Sequence, residues 1–540
     1  MTPTIAQRLH TAATEGGGSV VFHADDRPRR LDAAELDHLA RQRAGRLAEL
    51  GVGPGIRVGV IGPNAPDWIA WVYAIWMRGA TAVPVPIPLR VRDRAAVASQ
   101  LASIAQGFEC SFVAAHERYV PLLPAEIVID WEDCGSESGA LAGSDIADPD
   151  PVQLAYIQPT SGATAAPKGV GRTYGQVTNT DLSISVNPYD APEVRYLVYS
   201  PLAHSGGSIA IYAMVHPWLQ IHLLSPERFA RDPAEFFRIV GDQDITMTIG
   251  ASSSVAAAVR AMDRSSDSFD LSSLNWFAFA YEMVDPGVVD RLIEVGGRHG
   301  LKPDIIGAYY GMSEGGGTRT PPGLGVRAEE VDLEALVASG IARPPRRGGR
   351  VKRVASCGSP FGLELRISDP DGAPLPERRI GEVHFRGPGL MNGYVGPGAA
   401  DAFDSDGWMS TGDVGFVAEG DLFITGRVKE VIVQLGKKYH PEDIEWAAAQ
   451  AANVAPAECV AFMPVDAEEG EIVVAIETAL THGLSDLEQR VRAAIINRVG
   501  ITPRSVIFVA PETLPKASSG KAQRIAARDK YASGALTANL

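Results

Sequence analysis

The sequence predicts an α/β protein: a large N-terminal part, a β-rich stretch around residues 350–425, and a compact α+β unit beginning near Val428. Three observations predict it. Helical and strand-like segments alternate through the first half, which argues for a sheet covered on both faces. Strand patterns punctuated by Gly387-Pro388-Gly389 and Gly396-Pro397-Gly398 dominate later. Alternation then resumes over a final stretch of plausible domain size, ~110 residues.

Taken in order, Leu31 to Leu50 carries apolar residues at helical spacing, and Arg57 to Ile61 is a short buried-strand pattern. Asp67 to Arg78 is helical again, and Thr81 to Pro84 begins another strand. The β-rich stretch reads as strands at Leu363 to Ile367, Gly381 to Arg386 and Asp421 to Thr425. The last unit reads as strand (Glu430 to Gln434), helix (Pro441 to Ala451) and strands (Cys459 to Met463, Glu471 to Glu477). A helix (Leu484 to Val499) and a strand (Ser505 to Val509) complete it. The division expected is 1–427 for the N-terminal part and 428–540 for the C-terminal domain.

With 540 residues the chain is too long for one core, since domains run ~100–200 residues. Hydrophobic residues make up 45% and charged residues 21%, an ordinary globular balance. The net charge of −16 repels phosphate backbones and anionic lipid heads, so neither nucleic acid nor a membrane surface is an expected partner. The apolar run Trp68 to Pro88 is broken by Arg78, Gly79 and prolines, so it reads as a buried helix and a strand rather than a membrane span. Cys110, Cys134, Cys357 and Cys459 are scattered, with no C-x-x-C pair. Buried, reduced thiols in a cytoplasmic protein are expected.

The segment Gln158-Pro-Thr-Ser-Gly-Ala-Thr-Ala-Ala-Pro-Lys168-Gly169-Val170 is dense in hydroxyls and small residues and carries one lysine. Such a loop can offer backbone N–H groups and hydroxyls to a polyphosphate, with Lys168 supplying charge. Its spacing is not that of a Walker loop, and on its own it reads equally well as a flexible linker. The other chemistry-bearing segments are Tyr310-Gly-Met-Ser-Glu314, Ser410-Thr-Gly-Asp413, Gly426-Arg427-Val428-Lys429-Glu430 and Pro515-Lys-Ala-Ser-Ser-Gly-Lys521. Taken singly, each has a bland reading: a solvated loop carboxylate for Glu314, a turn former for Asp413, an exposed lysine for Lys521.

Together and in this order, the five segments resemble the signatures of the adenylate-forming superfamily, which includes acyl-CoA synthetases, luciferases and peptide-synthetase adenylation domains. The resemblance spans roughly residues 50–525. It implies an N-terminal domain of two α/β subdomains plus the β-rich subdomain, with a small mobile α+β C-terminal domain. It implies ATP and Mg²⁺ as cofactors and activation of an oxyacid to its adenylate with release of pyrophosphate. Thr160, Ser161, Gly162, Thr164, Lys168 and Ser313 would hold phosphates, Tyr310 and Gly311 the adenine side, and Asp413 and Arg427 the ribose. Glu314 would ligate Mg²⁺ through a carboxylate oxygen, as a hard cation needs. Lys521 would stabilise charge as the carboxylate attacks, a role worth ~10²–10³ in rate. Lys429 would be the hinge. His204, in Tyr199-Ser-Pro-Leu-Ala-His204-Ser-Gly-Gly, matches the residue lining the acid pocket beside the adenylation centre.

Gly311-Met-Ser313-Glu-Gly315 also fits the G-x-S-x-G elbow of α/β hydrolases. That elbow needs a helix after it, and Gly-Gly-Thr-Arg-Thr-Pro-Pro-Gly is a poor helix start. Within the superfamily, Val331 to Ile341, Val354 to Pro360 and Lys437 to Glu445 resemble fatty acyl-AMP ligases, which pass acyl-adenylates to carrier proteins. Departures fall at the acid site. The branch often has Asn-Gly-Ala-Glu-Pro where this chain has Phe279-Ala280-Tyr281-Glu282-Met283, and Asp-Met-Gly where it has Ser205-Gly206-Gly207. Ala163 stands where Ser or Thr is common. Tyr281 adds bulk beside the expected acyl tunnel. The expected substrate is a small-molecule acid, carboxylic and fatty-acid-like, with an acyl carrier protein, CoA or an amine as acceptor. The alternatives are a small-acid ligase of secondary metabolism, one for aryl acids or a nitrite-activating diazo-forming enzyme, and a non-catalytic nucleotide-binding descendant.

Overall fold

The structure is a computed structural model that describes residues 2–86, 94–135, 139–160, 168–180, 190–434, 437–464, 471–516 and 522–536, without the side chain of Ala96. Two large sheets form the N-terminal part. One has seven strands in the order Tyr394–Val395, Gly169–Thr173, Leu154–Pro159, Thr81–Pro84, Arg57–Ile61, Phe112–Ala115, Val128–Asp130. The other has nine, in the order Ser359–Pro360, Gly317–Arg319, Ile306–Gly311, Trp276–Phe279, Met247–Gly250, Val194–Val198, Leu219–Leu224, Ser19–His23, Arg29–Asp32. Neighbours are parallel in the middle of both sheets and antiparallel at the edges described next to the cleft.

The layering follows from which face each residue presents. Val58 and Val60 point into a central core with Tyr196 and Val198 of the other sheet, while Ile61 and Val83 point to an outer core under the helix Arg94–Gly107. Leu197, Phe277 and Phe279 point the opposite way, onto the helices Glu235–Asp242, Ser252–Arg264 and Pro286–Gly297. Helix, sheet, helix, sheet and helix therefore alternate, with the period-2 geometry of a strand dividing its residues between two cores. The helix Pro66–Met77 lies in the middle layer and is apolar all round, as a helix with no solvent face must be. Trp68 to Met77 are fully buried. The Tyr73 hydroxyl donates to the Ile211 carbonyl at 2.8 Å and the Trp76 indole N–H to the Ala155 carbonyl at 2.8 Å, which tie the helix to later parts of the chain, whereas the indole N–H groups of Trp68 and Trp71 are buried without a described partner.

A four-stranded antiparallel sheet (Glu364–Ser368, Gly381–Arg386, Met409–Ala418, Asp421–Arg427) forms the β-rich part. Beyond a single 3-10 turn, Val428–Glu430, a three-stranded sheet (Cys459–Phe462, Val473–Glu477, Ser505–Val509) has its own cores on both faces. The strand and helix expectations for this unit hold, with three corrections. Residues 428–430 turn rather than extend, so the strand begins at Ile432; a strand Lys437–Tyr439 pairs with it; and a helix Arg524–Ala532 follows the last strand. In the first half, the helix starts at Ala33 rather than Leu31, because the Asp32 side chain caps it from Glu35 N–H at 2.9 Å. Leu31 sits on an edge strand. Ser313 lies in a turn between two antiparallel strands, so no hydrolase elbow forms.

Burial pushes the thiols of Cys110 and Cys357 up to about 12 and that of Cys459 well up, as expected for inert sulfur. Cys134 is the exception, being only half-buried. No helix among the described residues is long and apolar enough to cross a membrane.

Candidate active site

The residues expected at the ribose, Asp413 and Arg427, are carried by a hairpin. Asp413 stands directly opposite Arg427 in the pairing of Met409–Ala418 with Asp421–Arg427. The Thr-Gly-Asp segment is thus strand rather than turn. Gly412 takes φ +71°, and the Thr411 hydroxyl both accepts from Asp413 N–H at 3.0 Å and donates to the Val383 carbonyl at 2.8 Å. This holds the Asp413 side chain, which is 12% exposed, toward the cleft. One carboxylate oxygen meets Arg427 Nε at 3.0 Å, and the other accepts from the Tyr310 hydroxyl at 2.6 Å. Burial, and then the Asp413 charge, push the Tyr310 phenol well up, so it stays a donor. The Arg427 guanidinium is raised chiefly by Asp413.

A cleft of about 100 Å³ opens beside this trio. Tyr281, Met283, Tyr310, Gly311, Asp413 and Arg427 line it, and Glu442 closes it from the C-terminal unit. Gly311 pairs with Gly317, and a Cβ there would lie 2.8 Å from the Tyr309 ring, so glycine permits the packing. Two residues beyond Met312 stands Glu314. The Ser313 carbonyl accepts from Arg172 at 2.9 Å.

Of the residues expected at the phosphates, Thr160 and Lys168 meet: the Thr160 N–H and hydroxyl both donate to the Lys168 carbonyl, at 3.0 and 3.1 Å. Ser161, Gly162 and Thr164 lie outside the described residues. The Lys168 ammonium sits 3.9 Å over the centre of the Tyr394 ring, and the Tyr394 hydroxyl donates to Glu314 Oε1 at 2.6 Å. Sequence reasoning missed Tyr394. Its signal is slight: a tyrosine isolated among Gly393, Val395 and Gly396 between two Gly-Pro signals.

At the acid site, His204 Nδ1 accepts from Gly206 N–H at 3.1 Å and burial lowers the ring's pKa, so the imidazole is neutral. The Ser205 carbonyl accepts from the Ser208 hydroxyl. Tyr281 packs edge-on against His204, with ring centres 5.9 Å apart, and fills the space over Gly206, where a Cβ would come within 2.5 Å of its ring. Its backbone takes φ +72°, an uncommon conformation for a bulky residue, which is met most often at functional sites. The Met283 carbonyl accepts from the Ser252 hydroxyl.

Lys429 is exposed on the turn joining the two units. Lys521 lies outside the described residues, but the chain is paired on both sides of it, at Lys516 and Ala522. Arg524, also missed in the sequence, contacts Glu430, Glu442 at 2.8 Å and Glu445 through two nitrogens at 2.7 and 2.6 Å. The same Glu442 lines the cleft.

The sequence matches a known family. A family profile described as AMP-binding enzyme matches residues 9–395. The chain belongs to that family. A second profile, described as the AMP domain of Disco-interacting protein 2-like proteins, matches residues 429–539. The chain is 29% identical over 538 residues to the ligase Rv1013 of Mycobacterium tuberculosis, covering 96% of this chain and 97% of that protein. It is 28% identical over 585 residues to the long-chain-fatty-acid–AMP ligase FadD32 of Mycolicibacterium smegmatis, covering 95% and 91%. A solved structure of a fatty acyl-adenylate ligase, from work on the E. coli and L. pneumophila enzymes, superposes with a TM-score of 0.88 at 23% identity, covering 99% and 98%. This family member is an ATP-dependent, AMP-forming ligase that activates an acid as its adenylate, and its relatives include fatty acyl-AMP ligases as the motifs implied.

Proposed function

We propose that the chain joins a fatty-acid-like carboxylic acid to AMP and then passes the acyl group to a thiol, on a carrier protein or CoA. The observation that carries this reading is the convergence of Tyr310, Asp413 and Arg427, from sequence segments a hundred residues apart, on one cleft, with Glu314 four residues beyond Tyr310 and held by the Tyr394 hydroxyl. A carboxylate oxygen attacks the α-phosphorus of ATP; the bond to the bridging oxygen breaks and pyrophosphate leaves. The acid is already ionised at neutral pH, so no base is needed. Asp413 receives the ribose hydroxyls, with Arg427 and Tyr310 fixing its two oxygens. Lys168 and the hydroxyls of its loop take the phosphates. A Mg²⁺ arriving on ATP needs only one or two protein carboxylates, and Glu314 suits it, because the Tyr394 hydroxyl fixes one oxygen and no described hydrogen bond occupies the other. The metal would neutralise phosphate charge.

Lys521 is the proposed cation at the developing charge. The likeness of Pro515 to Lys521 to the superfamily's C-terminal lysine motif supports that role. The 1–427 and 428–540 units would turn about Lys429 to separate adenylation from transfer, since two reactions share one pocket. Replacement of Lys521 by Ala should cut pyrophosphate release ~10²–10³-fold and leave ATP affinity unchanged. Adenylate formation at the parent rate would remove that assignment.

A second reading concerns the acid. Tyr281 occupies the ground over Gly206 where an acyl chain would run, which favours a compact acid, aryl or nitrite, over a long one. Pyrophosphate release across fatty acids, aryl acids and nitrite with aryl amines decides between the two. Turnover on long chains keeps the first reading. Turnover confined to small acids, or to nitrite with an amine, replaces it with the second.

A further inference from the structure

Residues 389–395 form a strap between the two large sheets. At one end Leu390 bridges to Gly315, and Met391 N–H donates to the Glu314 carbonyl at 2.6 Å. Gly315, at φ +97°, permits the approach, because a Cβ there would lie 2.3 Å from the Gly389 carbonyl oxygen. At the other end Tyr394 pairs with Val170 and Val395 with Gly169, and Gly171 N–H donates to the Gly393 carbonyl at 3.1 Å. The strap backbone is therefore hydrogen-bonded both to the turn that carries Glu314 and to the strand that leaves the phosphate loop. Tyr394 is the side chain on the strap that meets the functional ends of both.

We propose that Tyr394 is a positioning residue with two separable contacts: its hydroxyl orients the Glu314 carboxylate for a divalent cation, and its ring holds the Lys168 ammonium ready for the nucleotide's phosphates. This rests on the adenylating reading given above. A carboxylate that accepts an O–H bond at 2.6 Å loses rotational freedom, and its second oxygen is left for metal. An ammonium 3.9 Å from a ring centre is held by the ring's quadrupole without being neutralised, so it keeps its full charge for an anion. The strap's backbone pairing uses no atom of this side chain, so the two contacts can be removed while the fold stays.

The test compares Tyr394→Phe, which keeps the ring and loses the hydroxyl, with Tyr394→Leu, which loses both. Calorimetry measures ATP affinity with and without Mg²⁺, and pyrophosphate release gives the half-saturating Mg²⁺ concentration. In Tyr394→Phe, Mg²⁺-free ATP binding should match the parent, while half-saturating Mg²⁺ rises roughly tenfold and excess Mg²⁺ restores kcat, the scale of a hydrogen bond to a charged group. Tyr394→Leu should in addition bind Mg²⁺-free ATP about two- to fivefold more weakly, the scale of an exposed cation–π contact. A parental Mg²⁺ dependence in Tyr394→Phe overturns the hydroxyl's role, and equal Mg²⁺-free affinities in the two variants overturn the ring's. A thermal transition lowered in Tyr394→Phe, with loss of activity that Mg²⁺ does not rescue, would mark a merely structural tyrosine. Failure of the parent protein to bind ATP at all would sink the adenylating reading instead.

Discussion

Arg427 and Arg524 both pair with carboxylates on either side of the turn Val428–Glu430, but their surroundings differ. The Arg524 side chain is 10% exposed and sits among Glu430, Glu442 and Glu445, the last of these 8% exposed. The Arg427 side chain is 54% exposed and reaches Asp413 from the open side of the cleft. Burial decides what each ion pair is for. A guanidinium enclosed by three carboxylates has no vacancy for a ligand and fastens the turn Val428–Glu430, the helix Pro441–Ala452 and the helix Arg524–Ala532 to one another. A half-exposed guanidinium contributes little to stability and is free to shift as a nucleotide enters. The first assembly is scaffold and the second is site, although their composition is alike.

That contrast can be broken most severely at Arg524. Replacement by Ala strands Glu445, whose carboxyl is already raised by burial, in a site without its cation. Loss of about 3–5 kcal/mol is expected, the usual cost of removing one member of a buried pair, read by urea unfolding. Adding Glu445→Gln should return part of that loss. Full additivity of the two changes would show that the pair is not coupled.

Acid should expose the same region next. His440 is buried beside Lys352, Asp443, Glu442 and Arg524, and burial first, then Lys352, lowers its pKa from 6.5 to about 4. The unfolded chain takes up a proton near pH 6.5 and the folded chain does not until about 4, so stability falls as pH drops through that window. The single histidine accounts for roughly 3 kcal/mol, from the free-energy equivalent of the shift. His440→Gln should flatten the unfolding curve between pH 6.5 and 4; an unchanged slope would place the acid sensitivity elsewhere.

The site end should respond in binding rather than stability. Asp413→Ala is expected to weaken ATP roughly 10–100-fold, the scale of hydrogen bonds to a charged acceptor, while shifting the unfolding midpoint far less than Arg524→Ala does. Calorimetry and thermal unfolding on the same sample check both halves. If Asp413→Ala destabilised as much as Arg524→Ala, the division between scaffold and site would fail.

Much of this was legible in the sequence. The helix Pro66–Met77 and the strands Arg57–Ile61, Thr81–Pro84, Gly381–Arg386 and Ser505–Val509 follow from local apolar pattern, which needs no partner to be read. The motif residues Tyr310, Asp413 and Arg427 were legible as a set, and the structure brings them to one cleft. What stayed hidden depends on pairing between distant segments. Tyr394 matters because Val170 lies opposite it and Glu314 lies within reach of its hydroxyl, 80 residues away in the chain. Arg524 reads as one more basic residue until Glu430, Glu442 and Glu445 enclose it. Asp413 reads as a turn former because Ser-Thr-Gly-Asp is turn-like locally; the hairpin partner Arg427 makes it strand.

The helix Pro66–Met77 bears on how the protein is made. Its polar contact through Tyr73 is with Ile211, 138 positions later. At 5–20 residues per second, roughly 7–28 s of synthesis separate the two. The helix Ala33–Glu49, made earlier, can cover one face of this three-tryptophan helix, but the face that meets the later segments stays uncovered for that time. The prediction for expression is dependence on a chaperone that shelters the early chain, and aggregation of fragments that stop short of Ile211.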